Sequence, residues 1–276
     1  MKTYRKILLA VVCLLLFFLL PVGMAFANDH GVNWFKRAEE RQIPDPEGGA
    51  EMTQRIPVSN VVLQQRYPDT VVLAGPTTAN RIALTFDDGP DPRFTPQVLD
   101  VLQEYNVPAT FFVMGRRAER FPDLVTRMAA EGHVIGNHSY SHPNFVVEDD
   151  VALLEQEVLQ TEAIIQNLVG YRPRFFRAPY GFLYNELVEK LAELNNTVVA
   201  WSIDTLDWRE RPAEEVAFSV ISSAQPGSIV LMHDGAEADG DRTQTIEALR
   251  QIIPTLQEQG FEFVTVSELI GIPYEK

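Results

Sequence analysis

The sequence predicts an α/β fold in which helices cover a parallel sheet, arranged as a barrel or as a doubly wound sheet. Seven short apolar runs after Asn80 alternate with segments of helical periodicity. The runs contain few polar residues, as expected of strands that are buried on both faces in a parallel sheet. The chain has 276 residues, 46% of them hydrophobic and 22% charged, which is enough for one enzyme domain with a sizeable core.

The elements follow in a regular order. The predicted strands are residues 82–86, 109–113, 133–136, 174–176, 197–201, 228–232 and 261–266. Helix start signals lie between them: Thr95 is a predicted N-cap followed by the first-turn proline Pro96, and Pro122 opens the next helix in a similar way. Before the first strand, residues 61–63 and 71–73 are predicted as short edge strands.

The first 27 residues predict export. Basic residues at positions 2, 5 and 6 precede the apolar run 7–20, and Ala25-Phe26-Ala27 has the small-x-small pattern that a signal peptidase cuts. We expect cleavage before Asn28 and a secreted or cell-surface protein. The alternative is an uncleaved membrane anchor, because the 21 residues 7–27 carry no charge and about 20 residues span a bilayer.

The rest of the chain divides into two predicted parts. Residues 28–80 are interpreted as a lead-in whose Pro- and Gly-rich stretch, 44–49, is a flexible spacer, and residues 81–276 as the folded domain. The only cysteine, Cys13, lies in the leader. The exported chain would then have no thiol, which excludes cysteine ligands and cysteine nucleophiles.

The charge balance restricts the partners. The chain has 23 basic and 38 acidic residues, a net charge of −15. Nucleic acids and anionic membrane surfaces attract basic patches, so we expect neither as a partner, unless the leader stays in the membrane. A neutral or cationic substrate and a monomeric chain are expected instead.

Five clusters of polar residues stand at the ends of the apolar runs. The members that could take part in catalysis or binding are Asp87, Asp88, His138, His142, Arg177, Tyr180, Asp207, Trp208, Leu231 and His233. In parallel α/β folds the carboxyl ends of the strands converge on one crevice, where active sites lie. The clusters therefore predict one site, with the composition of a hydrolytic metal centre.

Two clusters indicate a metal. Asp87 and Asp88 are adjacent at a strand end, so their side chains point in different directions, and one can bind a cation while the other acts as a base. His138 and His142 are four residues apart and would share a cation if residues 139–141 formed one helical turn. Two histidines and one carboxylate leave coordination positions open, as catalytic sites do; a chance surface pair of histidines is the alternative.

The remaining clusters supply candidates for proton transfer and positioning. His233 ends an apolar strand and is placed to donate a proton to a leaving group. Asp207 could orient that imidazole, and Arg177 needs an anionic partner, for which Asp87 is nearest by topology. The turn at Tyr180 could present its backbone N–H to an oxyanion. By contrast, His133, inside a predicted strand, is interpreted as a buried, hydrogen-bonded histidine.

In this order the clusters resemble the polysaccharide deacetylases of the NodB-homology type, carbohydrate esterase family 4, over residues 81–276. The resemblance implies a distorted (β/α) barrel of about seven strands. It also implies a divalent metal, zinc with cobalt or nickel as alternatives, held by Asp88, His138 and His142. It further implies that Asp87 is the general base and His233 the general acid. In the same family pattern Arg177 is braced against Asp87, and Asp207 tunes His233. Trp208 and Leu231 would line the pocket for the acetyl methyl group.

The implied activity is hydrolytic removal of acetyl groups from an N-acetylated glycan, either the amino sugars of peptidoglycan or chitin-like oligomers. O-acetylated xylan as substrate and a non-catalytic glycan-binding module are alternatives. Two histidines and one carboxylate also describe iron(II) oxygenases, although those enzymes use a β-sandwich and a different ligand order. Asn144, Phe145 and residues 234–242 are expected to select the glycan. For Trp208, simple core filling is the alternative to a pocket role.

Overall fold

The computed structural model describes residues 56–276. Their strands form one sheet in which every strand pair is parallel. The strands are β1 Val71–Val72, β2 Arg81–Asp87, β3 Thr110–Val113, β4 Val134–Asn137, β5 Phe175–Phe176, β6 Thr197–Val199, β7 Ile203–Asp204, β8 Ile229–His233 and β9 Glu262–Phe263. The predicted parallel sheet is confirmed. All seven main strands and the edge strand at residue 71 are present, and β7 is one that the sequence did not predict.

Ten helices connect or flank these strands within residues 56–276. They are α1 Asn60–Arg66, α2 Thr95–Glu104, α3 Gly115–Arg120, α4 Pro122–Ala130, α5 Phe145–Glu148, α6 Val151–Val169, α7 Asn185–Glu193, α8 Ala213–Ser223, α9 Thr243–Glu258 and α10 Val266–Ile270. Short 3₁₀ turns lie at Pro179–Gly181 and Asp207–Arg209. No helix in this part of the chain is long and apolar enough to cross a membrane.

Two local predictions are wrong. Residues 61–63 lie in α1 instead of a strand, because a run of three apolar residues does not define a period and the following Gln64, Gln65 and Arg66 favour helix. Phe94, not Thr95, is the N-cap of α2. The Thr95 hydroxyl instead accepts a hydrogen bond from the backbone N–H of Asp91 and donates one to Asp234.

The sheet is rolled into a distorted barrel. The strand order is β1-β6-β5-β4-β3-β2-β8-β7, with β9 paired to β2 beside this path. Strand β6 lies near one end of this order and β7 at the other, yet only residues 200–202 separate them in the chain. The four residue steps from Val199 to Ile203 span at most about 14 Å. The two ends of the sheet must therefore approach each other.

The alternation of side chains along each strand separates two apolar layers. Ile82, Leu84 and Phe86 of β2 point outward and pack beneath the helices. Ala83 of the same strand packs in the interior with Phe112 and other inward residues. Thr85 and Asp87 continue this inward face, so the side chain that ends the strand belongs to the barrel interior.

The folded part begins before residue 81. Within the predicted lead-in, Leu63 is fully buried and Val71 pairs with Val198 of β6. The backbone N–H of Val58 also bonds to the carbonyl of Leu183. Residues 56–80 of the predicted lead-in therefore pack as part of the folded domain, whose predicted first residue was 81. The predicted leader, its cleavage before Asn28 and the Pro- and Gly-rich stretch lie outside the described residues.

We expect Leu63→Ala to destabilise the domain by about 2–5 kcal/mol, because it leaves a cavity in a fully buried apolar cluster. Urea unfolding measures the loss. Val61→Ala, on the exposed side of the same helix, is the control and should stay within about 0.5 kcal/mol of the wild type. Equal stability of both variants would mean that α1 does not belong to the folding unit.

Candidate active site

The predicted site residues lie at the carboxyl ends of neighbouring strands. Strands β2 and β8 run in register so that Asp87 is directly opposite His233. Paired residues of adjacent strands project to the same face of a sheet, so these two side chains share the barrel interior. Asn137 of β4 pairs with Phe176 of β5, which brings the following residues, His138 and Arg177, together in the same way.

Asp88, His138 and His142 form a set that fits a divalent metal. One carboxylate oxygen of Asp88 lies 3.4 Å from Nε2 of His138 and 3.2 Å from Nε2 of His142. The same oxygen is buried and has no hydrogen-bond partner in the described residues. A buried carboxylate oxygen that faces two imidazole nitrogens suits a divalent cation. The donor atoms all lie within 4.8 Å of one another.

The surroundings prepare these donors for a metal. Nδ1 of His138 lies 2.9 Å from the carbonyl oxygen of Arg177. A carbonyl only accepts, so Nδ1 carries a proton, and Nε2, which faces Asp88, is the nitrogen left to bind a metal. Burial acts to raise the pKa of Asp88, but the two imidazoles hold it well below its ordinary value. The carboxylate is therefore ionised at neutral pH.

The loop that carries the two histidines is not the predicted helical turn. Ser139 and His142 both have left-handed backbone conformations, with φ of 63° and 66°. These angles break the helical path, so the imidazoles converge through a contorted loop rather than through helical spacing. Asp88 and Tyr180, with φ of 70° and 61°, show the same strain in two other clusters. Such conformations cost roughly 1–3 kcal/mol each and persist where surrounding bonds enforce them.

Glu157, a residue that the sequence analysis missed, enforces this loop. Its buried carboxylate on α6 accepts hydrogen bonds from the backbone N–H groups of Tyr140 and Ser141 and from the Ser141 hydroxyl, at 2.7–2.8 Å. The backbone N–H of Ser139 also donates a hydrogen bond to the side-chain oxygen of Asn137. The available signal was a glutamate on the buried stripe of α6, between Leu154 and Thr161.

Arg177 contacts Asp87, as its position in the topology indicated. Its guanidinium is almost fully buried and lies 2.8 Å from Oδ1 of Asp87. The other carboxylate oxygen of Asp87 lies 3.9 Å from Nε2 of His138. One oxygen is therefore held by a cation while the other faces the predicted metal ligands. This arrangement directs the second oxygen of Asp87 into the site.

Asp207 contacts His233. Its two carboxylate oxygens accept bonds from Nδ1 and from the backbone N–H of His233, at 2.7 and 2.8 Å, and Thr245 donates a third bond. Burial acts to lower the pKa of His233, but the Asp207 carboxylate outweighs it and the pKa is raised to about 9. His233 is therefore protonated at neutral pH, as a proton donor must be.

The three predicted substrate contacts lie on the surrounding wall. The ring of Tyr180 packs edge-on against His142, with centroids 4.7 Å apart. Leu231 is buried two residues before His233 on β8. Trp208 is 45% exposed, which contradicts core filling and leaves its indole available to a ligand. The guanidinium of Arg209 stacks over it at 4.7 Å.

A cleft of about 490 Å³ lies away from the candidate site, in the described part of the chain. It is lined by residues that precede β3 and β4, among them Pro108 and His133. These residues stand at the amino ends of the strands, opposite the site. His133 is buried and its Nδ1 accepts the backbone N–H of Ala109, which confirms the structural role predicted for it. Burial lowers its pKa to about 4.

We expect His138→Ala to weaken zinc binding by more than about 100-fold, because it removes one of the three predicted metal ligands. Calorimetric titration of the metal-stripped full-length protein measures this, and circular dichroism checks the fold. His233→Ala is the matched control and should keep wild-type zinc affinity, since Asp207 and not the ligand set holds that imidazole. Stoichiometric zinc in the His138 variant would contradict the ligand assignment.

Comparison with known proteins identifies the relatives of this chain. The family model for polysaccharide deacetylase matches residues 74–199. A peptidoglycan-N-acetylglucosamine deacetylase of Bacillus cereus is 42% identical over 205 residues, which cover 74% of this chain and 73% of the relative. A chitooligosaccharide deacetylase of Sinorhizobium fredii is 40% identical over 208 residues, 72% of this chain and 95% of the relative.

Solved structures extend the likeness to three dimensions. The crystal structure of a peptidoglycan N-acetylglucosamine deacetylase in complex with 4-naphthalen-1-yl-N-oxidanyl-benzamide has a TM-score of 0.75 at 39% identity. The match covers 79% of this chain and all of that one. The rolled parallel sheet, the ordered polar clusters and these similarities together show that the chain belongs to the polysaccharide deacetylases of the NodB-homology type, carbohydrate esterase family 4, a family of metal-dependent hydrolases.

Proposed function

We propose that this protein removes acetyl groups from N-acetylglucosamine units of a glycan outside the cytoplasm, with peptidoglycan as the first candidate and chitin-like oligomers as the second. One observation carries the proposal. Around a single crevice lie a three-residue metal set, a carboxylate held by a guanidinium and an imidazole held by a carboxylate. The relatives named for peptidoglycan and for chitooligosaccharides support the substrate class.

The bound metal is proposed to be zinc, held by Asp88, His138 and His142. It would polarise the acetamide carbonyl and acidify a water molecule. One oxygen and two nitrogen donors suit zinc, and cobalt or nickel are alternatives with the same donor preferences. An iron(II) oxygenase would use a similar donor set. The parallel α/β barrel and the deacetylase relatives favour hydrolysis.

The side chains divide the proton transfers. Asp87 is proposed to take the proton of the attacking water, whose oxygen bonds to the acetamide carbon. His233 is proposed to give its Nε2 proton to the sugar nitrogen as the carbon–nitrogen bond breaks, which releases acetate and a free amine. Nδ1 of His233 stays bonded to Asp207, which fixes the ring during transfer.

Three further groups are proposed to receive the acetamide. The backbone N–H of Tyr180, in the strained turn at Pro179–Gly181, is assigned to the developing oxyanion. Leu231 and Trp208 are assigned to the acetyl methyl group, since both are apolar and lie close in the chain to His233 and Asp207. A peptidoglycan substrate also fits the predicted export of the chain, in which residues 1–27 act as leader or anchor.

Acetate release from purified glycans tests the proposal. The full-length zinc-loaded protein should release acetate from peptidoglycan or from N-acetylglucosamine oligomers, and less or none from O-acetylated xylan. Asp87→Asn should lower kcat by about 10²–10⁴-fold, the range for loss of a general base, while zinc content stays unchanged because Asp88 is the ligand. No acetate from any N-acetylated glycan would contradict the function.

The pH dependence tests the assigned acid. With the pKa of His233 raised to about 9, the proton is present below that pH and is lost as pH rises through it, so kcat/KM should fall on the alkaline side. Asp207→Asn removes the charge that raises this pKa and should move the alkaline limb to lower pH. Thr245→Val, which removes one bond to Asp207 but no charge, should move it much less. An unmoved limb in Asp207→Asn would contradict the assignment.

A further inference from the structure

Next to the metal set lies a second cleft that the proposed reaction does not use. It measures about 370 Å³ and lies between the Tyr180–Phe182 turn, the indole of Trp201 and residues 57–60. We propose that this cleft binds a second sugar ring of the glycan, adjacent to the one that loses its acetyl group. The inference rests on the proposed function, and it assigns specificity for chain length to Phe182 and to the segment before α1.

The cleft is continuous with the candidate active site through Tyr180. The Tyr180 ring contacts His142, a predicted metal ligand, with centroids 4.7 Å apart. On its other side it stacks with Phe182, with centroids 6.4 Å apart and planes at 29°. The two rings therefore form exposed aromatic surface that leads from the predicted metal ligands into the cleft.

Exposure of the two rings points to a ligand. Tyr180 is 56% exposed and Phe182 42% exposed, although both are large aromatics on neighbouring positions of one turn. Single exposed aromatics are common on protein surfaces, but a stacked pair beside an active site is a binding feature. Removing these ring faces from water by contact with an apolar surface would be favourable, because burial of apolar area lowers the free energy.

The lining matches the chemistry of a neutral sugar. Phe182, Tyr180 and Trp201 provide flat apolar surface for the C–H face of a pyranose. Ser59 and Asn60 provide neutral polar groups for its hydroxyls, and the Ser59 hydroxyl does not cap α1. No lining residue carries a charge. The volume lies within the roughly 300–1,000 Å³ of small-molecule sites.

Both walls of the cleft are held in place. Gly181 has φ of 70°, and a Cβ atom there would lie 2.5 Å from the indole of Trp201, so the turn packs directly on that ring. The opposite wall is fixed by the bond between the Val58 N–H and the Leu183 carbonyl. Residues 57–60 precede the stretch matched by the family model, 74–199. Part of this sugar site is therefore built from a segment outside that match.

Hydrolysis of N-acetylglucosamine oligomers of increasing length tests the inference. In the full-length zinc-loaded protein, Phe182→Ala should lower kcat/KM by about 3–10-fold for long oligomers, the effect of one lost aromatic contact, mostly through KM. It should change hydrolysis of a small aryl acetate less than about twofold. Phe182→Trp should restore the wild-type preference for long oligomers. Phe218→Ala is the matched control, since Phe218 is 70% exposed on α8 and does not line the cleft.

Three results would overturn the inference. An equal loss for all lengths and for the aryl acetate would mean that Phe182 only supports the turn, and no loss at any length would mean that the ring contacts no sugar. A monomeric Phe182 variant of a dimeric wild type would assign the cleft to a second copy instead. If the wild type releases no acetate, the proposed function fails separately. Calorimetry then measures the affinity of the oligomers for Asp87→Asn, with and without Phe182→Ala. This comparison tests the cleft without depending on turnover.

Discussion

The buried guanidinium of Arg177 is the interaction on which the rest of the site depends. It donates to the carbonyl groups of Val199 and Ala200, to the hydroxyl of Thr85 and to the carboxylate of Asp87. Phe112 lies against its face at 4.1 Å. Because these partners belong to separate strands or their ends, one side chain ties the barrel interior together at the level of the site. A lysine could not make this set of bonds, since only the guanidinium has donors spread over a plane.

The same residue contacts both the proposed base and a predicted metal ligand. Its side chain holds Asp87, and its backbone carbonyl accepts the Nδ1 proton of His138, so it orients both the proposed base and a metal ligand. Opposite it, His233 is held by Asp207. The proposed base thus has a cation beside it and the proposed acid has an anion beside it. The Asp207 carboxylate favours the protonated form that His233 needs before reaction, because it raises the pKa of that imidazole.

The strained backbone at Asp88, Ser139, His142 and Tyr180 is the cost of this convergence. Glu157 offsets part of it by accepting several hydrogen bonds from the histidine loop. The strain also shapes the neighbouring surface, because the turn at Tyr180 presents two aromatic rings to solvent beside the metal set. Catalysis and the proposed sugar site therefore share one local conformation.

The sequence by itself determined the parallel α/β architecture and the residues of the candidate site, because apolar strands and the polar residues that end them are local patterns. It also indicated the pairs Arg177–Asp87 and Asp207–His233, since strand order places them together. Only the tertiary structure decided the left-handed loop at His138–His142, the bonds from Glu157, the burial of Leu63 in the core and the cleft at Phe182. These features depend on contacts between segments far apart in the chain, such as Val58 with Leu183, and no local periodicity encodes such contacts.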